Sequence, residues 1–227
     1  MITVWRAPLD LPADLLSRCA ALLSAEENAR AARYRTSELR DRYVAGRGQL
    51  RLMLAAATGQ PPERLVIAAG ERQKPYLPGS DVQFNLAHTD RVMLCAIDRI
   101  HPLGVDLEDT RREVEILPIA EQYFAPAEFA LLRDAPPDEQ RRLFFHLWTR
   151  KEAYLKALGV GLFGPLTIPF PLEDQAVFRP NDGDEFNSDD THWSIVSFTP
   201  LPDHLAALVT RAPDPRFTLQ EFTAPGF

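Results

Sequence analysis

The apolar positions of this chain follow two rhythms, one helical and one alternating. Between residues 37 and 57, Leu39, Tyr43, Gly46, Leu50, Met53, Leu54 and Ala57 share one face at helical spacing. Ser37 is placed to cap that helix, with Glu38 in its first turn. A second long helix is predicted from Glu139 to Leu158, stopping at Gly159; Leu143, Phe144, Leu147, Trp148, Tyr154, Leu155 and Leu158 form its apolar arc. Shorter helices are expected over 113–124 and 127–134, with Pro126 opening the latter. Strand-like runs are residues 2–6, "RLVIAAG", "VQFNLAH", "VMLCAID" and "LGVDLE", then "LTIPF", "QAVF", "HWSIVSF" and "LAALVT". Each half of the chain thus offers one long helix and several strands. The expected fold is α+β, with halves at 1–105 and 106–227.

Composition changes this picture little. The chain has 227 residues, 45% hydrophobic and 25% charged, an ordinary balance for a globular protein. No apolar run approaches the roughly 18 residues of a membrane span, and the N-terminus lacks a basic start with an apolar core. Cys19 and Cys95 show no metal spacing, so they read as buried free thiols in a reducing cytoplasm. A net charge of -7 argues against a nucleic-acid partner. The charge is uneven, however: seven arginines (Arg30, Arg33, Arg35, Arg40, Arg42, Arg47, Arg51) face two acids between Asn28 and Leu54. Such a cluster could meet a polyanion, although Arg35 and Arg40 also suit a solvated surface. The acidic run from Asn181 to Asp190 reads as a solvated loop.

Three carboxylates and two lysines carry the candidate chemistry. Asp106 and Glu108 lie two apart, so an extended chain points them to one side. Two negative charges held together call for a compensating cation. Glu152 falls at the margin of the apolar arc, with Lys156 one turn on. By spacing alone that pair reads as a surface ion pair. Joined to Asp106 and Glu108, Glu152 would instead complete an oxygen-rich Mg²⁺ site. Lys151 projects near the middle of the arc. Either its amine snorkels to solvent or it has a buried acidic partner. Lys74, before a proline-stiffened turn, and His88, closing "FNLAH", suit a phosphate-rich ligand when combined with the arginines.

"GVDLE" followed downstream by "LWTRKEAYLKALGVGL" resembles the two signature motifs of the 4′-phosphopantetheinyl transferases, G-x-D-x-E and W-x-x-K-E-A-x-x-K-x-x-G-x-G. The second matches at Trp148, Lys151, Glu152, Ala153, Lys156, Gly159 and Gly161. "RYRTSELRDRYVAGRGQLR", "QKPYL", "FNLAHTDRVMLCAI" and "FAPAEFALL" resemble its weaker motifs in the right order. The chain departs from them where Ala87 replaces a serine and Gln73 a glycine. The length is similar to that of the large, surfactin-synthetase-activating type, a monomer of two similar α+β halves in a pseudo-twofold arrangement.

This resemblance implies transfer of phosphopantetheine from coenzyme A to a serine of apo acyl or peptidyl carrier proteins, giving adenosine 3′,5′-bisphosphate. It implies Asp106, Glu108 and Glu152 as ligands to Mg²⁺ or Mn²⁺, Glu152 as general base, and Lys156 as the charge balancing the phosphates. Arg30, Arg33 and Arg42 would lie near the 3′-phosphate, with Lys74, Pro75 and His88 along the nucleotide. Asp106 and Lys156 would also meet coenzyme A. Competing readings are a Mg²⁺-dependent phosphodiesterase or nuclease, and a non-catalytic relative that binds coenzyme A or carriers.

Overall fold

The computed structural model describes residues 1–70, 72–161, 166–180 and 192–223. The first sheet has the order β10-β1-β5-β4, built from β1 (Ile2–Pro8), β4 (Gln83–His88), β5 (Val92–Asp98) and β10 (Phe217–Glu221). Only the β1–β10 pair in it is parallel. The second sheet, β6-β9-β8-β7, is antiparallel and comprises β6 (Leu103–Asp109), β7 (Gln175–Phe178), β8 (Trp193–Phe198) and β9 (His204–Thr210). β2 (Ala68–Ala69) and β3 (Pro75–Tyr76), two residues each, form a separate antiparallel pair.

The predicted long helices are α3 (Ser37–Thr58) and α6 (Pro137–Leu158). Thr36, not Ser37, caps α3, accepting the Leu39 amide at 3.3 Å. Both helices end at a left-handed glycine, Gly59 and Gly159, each at φ 74°. Helices α4 (Ile116–Tyr123) and α5 (Pro126–Asp134) lie where two short helices were expected. Two further helices, α1 (Ala13–Ala21) and α2 (Ala25–Ala31), and the strand β10 were not anticipated.

Alternation along the strands sets the layers. Leu50, Met53 and Leu54 of α3 pack with Met93, Cys95 and Ile97 on one face of the first sheet. The other face, with Ile2, Val4, Leu94 and Ala96, meets Val105, Leu107, Ala206 and Leu208 of the second. The far side of the second sheet, through Ala207 and Val209, packs on Phe144, Leu147, Ala153 and Tyr154 of α6. Two sheets therefore lie between two helices, and the fold is α+β. The division expected at residue 105 falls inside β6, and β10 returns the chain to the first sheet.

"LTIPF" is not a strand. Its backbone is engaged elsewhere: the carbonyls of Leu166 and Ile168 accept from the Lys151 ammonium, and the Phe170 amide donates to Glu128. A segment whose backbone groups serve an ion pair has none left for a ladder. "RLVIAAG" forms only the short β2, preceded by a 3₁₀ turn at Pro62–Arg64. The acidic run 181–190 lies outside the described residues.

Candidate active site

The site grows from the contact between β6 and α6. A Cβ on Gly104 would lie 2.1 Å from the Ala153 carbonyl oxygen and 2.4 Å from the Ala157 nitrogen. Only glycine lets the strand come so close to the helix. The alternation that turns Val105 and Leu107 toward the first sheet turns Asp106 and Glu108 toward α6. There Lys156 donates to Asp106 Oδ1 at 2.6 Å, and the Trp148 indole donates to Glu108 Oε1 at 3.1 Å. Arg112 approaches Glu108 Oε2 at 3.3 Å. Lys156 is thus paired with Asp106 across the contact, rather than with Glu152 along its own helix.

Among the described residues two buried oxygens have no hydrogen-bond partner, Asp106 Oδ2 and Glu152 Oε1. Burial first, then the charges of Asp106 and Glu108 push Glu152 up to about 7, against the pull of Lys156. Glu108 is likewise raised to about 7, by burial and by Asp106, with Arg112 and Trp148 opposing. Close like charges and orphaned oxygens are costly in a ligand-free protein and suited to a hard cation. Among the described residues no three His, Cys, Asp or Glu side chains are already gathered into a metal centre. Lys156, Trp148 and Arg112 hold Asp106 and Glu108 instead. The donor chemistry still fits Mg²⁺, which needs only one or two carboxylates with waters and substrate phosphates.

One residue before Glu152, Lys151 resolves the two readings of its position. It is fully buried, and its ammonium meets Glu128 Oε2 at 2.7 Å, Leu166 O at 2.6 Å and Ile168 O at 2.7 Å. All three of its protons have acceptors. Glu128 in turn accepts the amides of Ala125 and Phe170, both at 2.8 Å. The buried acidic partner, not snorkelling, is the outcome.

The arginine cluster divides. Arg47 and Arg51 both bind the buried Glu27, tying α2 to α3. Arg42 meets Asp10 at 2.7 Å and Glu38 at 2.6 Å, and Arg40 meets Asp41. Arg30 lies over the Tyr43 ring and, with Arg33 and Tyr34, lines an open hollow of ≈ 530 Å³. Neither Asp106 nor Glu152 lines that hollow. His88 is exposed at the end of β4, and Pro75 pairs with Ala69. Lys74 instead points its ammonium at Ala157 O, 2.9 Å, and Leu103 O, 3.2 Å. Burial lowers it to about 8, although the two carbonyls favour the charged form. Gln73, standing where the family motif has glycine, adopts φ 66°.

Spacing reads Trp148 as core and the motif match names it without a role, and neither gives weight to Arg112 or Asn85. Trp148 stands in the helical motif, but its hydrogen bond to Glu108 needed the fold to be seen. Asn85, a polar residue inside an apolar strand and 4% exposed, was the missed signal.

A sequence profile described as the 4′-phosphopantetheinyl transferase superfamily matches residues 102–209. The chain is 40% identical over 165 residues to the 4′-phosphopantetheinyl transferase HetI of Nostoc sp., covering 71% of this chain and 70% of that protein. It is 35% identical over 167 residues to a 4′-phosphopantetheinyl transferase of Bacillus subtilis, covering 73% and 70%. With Sfp of Bacillus subtilis strain 168 it shares 31% over 150 residues, 66% of each chain. The protein is a transferase, and it belongs to the 4′-phosphopantetheinyl transferase superfamily. No helix among the described residues is long and apolar enough to cross a membrane.

Proposed function

We propose that this protein transfers the 4′-phosphopantetheine arm of coenzyme A to a serine hydroxyl of an apo acyl or peptidyl carrier protein. The observation that carries the reading is the convergence of Asp106, Glu108, Glu152 and Lys156 across the β6–α6 contact, with two carboxylate oxygens buried and unpartnered. The serine oxygen forms a bond to the phosphorus that carries pantetheine. The bond from that phosphorus to the bridging oxygen of the pyrophosphate breaks, and its electron pair leaves on adenosine 3′,5′-bisphosphate. Glu152 accepts the serine proton as general base, because a neutral hydroxyl is a weak nucleophile. Lys156 offsets the charge on the phosphates. Asp106, Glu108 and Glu152 would hold Mg²⁺ or Mn²⁺, whose chemistry when bound is to polarise phosphoryl oxygens.

Arg30, Arg33 and Arg42 are assigned to the 3′-phosphate, with Pro75 and His88 along the nucleotide. The hollow beside Arg30 and Arg33 supports that assignment best; Arg42 would exchange Asp10 or Glu38 for phosphate. The halves 1–105 and 106–227 serve as the pseudo-twofold units of a monomer, with coenzyme A between them. The test is incubation with coenzyme A, Mg²⁺ and several apo carriers, followed by mass spectrometry. Carriers should gain the mass of one phosphopantetheine arm, and not when EDTA is present. Hydrolysed coenzyme A with every carrier unchanged would replace transfer by hydrolysis of the pyrophosphate bond.

A further inference from the structure

β6 is an edge strand. β9 covers one side of it, and the first sheet's edge strand β4 lies beside it. In an antiparallel pair alternate residues turn their backbone groups toward the partner. The bonds Arg211 N–H to Pro102 O and Thr110 N–H to Asp203 O bracket the β6–β9 ladder. By that alternation Gly104, Asp106 and Glu108 bond toward β9, leaving Leu103, Val105 and Leu107 on the open side. Those open groups are buried in the inter-sheet core and need partners.

Two side chains from the first half of the chain answer two of these groups. Asn85 Oδ1 accepts the Val105 amide at 2.9 Å, with both groups buried. Lys74 donates to Leu103 O at 3.2 Å and reaches Ala157 O at 2.9 Å, in the last turn of α6. Lys74 therefore bridges the strand that carries Asp106 and the helix that carries Glu152 and Lys156. Its stem lies against Gly159, 3.2 Å from where a Cβ would stand. A one-residue slip of β6 would turn Asp106 and Glu108 away from α6.

We infer that Asn85 and Lys74 are positioning residues: they tie the free edge of β6 at Val105 and Leu103, Lys74 also holding the last turn of α6, and so fix Asp106 and Glu108 opposite Glu152. This assigns the Lys74 ammonium to the frame of the site instead of to a ligand phosphate. The inference deepens the proposed transfer but has arms independent of it.

The test uses the full chain as Asn85→Leu, Lys74→Met and Lys74→Arg. Residue-resolved amide exchange reads the strand directly. In Asn85→Leu the Val105 amide should exchange at least about tenfold faster, while the Asp106 amide, bonded toward β9, stays protected. Mg²⁺ affinity, measured by titration calorimetry on the protein alone, should fall about 10–100-fold in Asn85→Leu and Lys74→Met, the range for lost support behind ligands. Under the proposed transfer, kcat should fall up to about 10²-fold, as for a displaced site, with KM for coenzyme A nearly unchanged. Lys74→Arg should recover most of the loss. Wild-type metal affinity and kcat in folded Asn85→Leu and Lys74→Met would overturn the inference, as would a raised KM without loss of kcat in Lys74→Met. A wild-type Val105 amide that exchanges as fast as solvent-exposed amides would overturn it without any variant. If the wild type transfers nothing to any carrier, the proposed function fails, while exchange and calorimetry still decide this inference.

Discussion

Lys151 and Glu152 are neighbours on α6, the first fully buried and the second partly buried, and they differ most in how far the polar groups around them are satisfied. Around Lys151 every polar group is answered: three acceptors surround the ammonium, and two amides plus the ammonium surround Glu128. Around Glu152 the account is left open, with Glu152 Oε1 and Asp106 Oδ2 lacking any donor. A satisfied buried network makes structure; it joins α5, α6 and the segment through Phe170 into one block. An unsatisfied one awaits a ligand, because proteins rarely leave buried oxygens unpaired without use. The difference teaches that burial alone does not mark a site. Incomplete satisfaction beside like charge does.

The comparison breaks most sharply at Glu152. Glu152→Gln keeps the size of the side chain and removes its charge. Its kcat for carrier modification should fall at least about 10²–10⁴-fold, the range for a lost general base, while the melting temperature holds or rises as repulsion is relieved. A folded variant with near wild-type turnover would return Glu152 to a surface role.

The mirror experiment is Glu128→Gln. It strands the Lys151 charge in a dry pocket, so stability should fall by about 3–5 kcal/mol, read as a lower urea midpoint. Turnover of the remaining folded protein should change far less than in Glu152→Gln. A double change, Glu128→Leu with Lys151→Met, should recover much of that stability, since well-packed apolar groups often replace a buried pair without loss. Full activity loss with intact stability in Glu128→Gln would put the pair inside the chemistry and erase the contrast.

Much of this was legible beforehand for definite reasons. α3 and α6 announce themselves because long amphipathic periods and terminal glycines survive any tertiary context. The carboxylates were legible because spacing of two in a strand fixes a common face. Lys151 could be narrowed to two readings, and only packing chose between them. α1 and α2 were missed although α4 and α5 are of similar length: α1 follows Pro12 without a capping side chain, and α2, "AEENARA", has only alanines for an apolar face. β10 is a largely exposed edge strand, "FTLQE", with little apolar alternation to betray it. "LTIPF" has strand composition, but the Lys151–Glu128 pair claims its backbone. Asn85 was passed over because its value lies wholly in a strand twenty residues on.

A pH series sharpens the same contrast by a smaller effect. Glu152 and Glu108 have folded-state values raised from 4.5 to about 7. The native state thus holds protons in that window that the unfolded chain has released. Their contribution to stability is complete below 4.5 and is lost as pH rises through about 7. In EDTA the melting temperature of the wild type should fall across this window relative to Glu152→Gln, which lacks one of the two groups. Adding Mg²⁺ should close the gap from the alkaline side, because a cation favours the charged forms. Parallel curves in EDTA would mean that the carboxylates are not strained against one another.

The smallest effect is expected at Arg112, where the two kinds of environment meet. Its guanidinium is half exposed and touches Glu108 Oε2 at 3.3 Å, so Glu108 is answered on one oxygen by Trp148 and on the other by a solvent-screened charge. Screening and side-chain entropy leave such a pair worth at most about 1 kcal/mol. Arg112→Gln should therefore shift the urea midpoint by no more than that. Loss of the cation removes one of the influences holding Glu108 down, so Glu108 should titrate higher than in the wild type. Metal titration then discriminates. If Glu108 is a ligand, Mg²⁺ affinity near neutral pH should drop modestly in Arg112→Gln and recover as pH is raised, since the deficit is one of protonation. An affinity loss that persists at high pH would show that Arg112 orients Glu108 rather than merely charging it, and would move this rim contact to the side of the Lys151 network, where geometry and not charge is what the partner supplies.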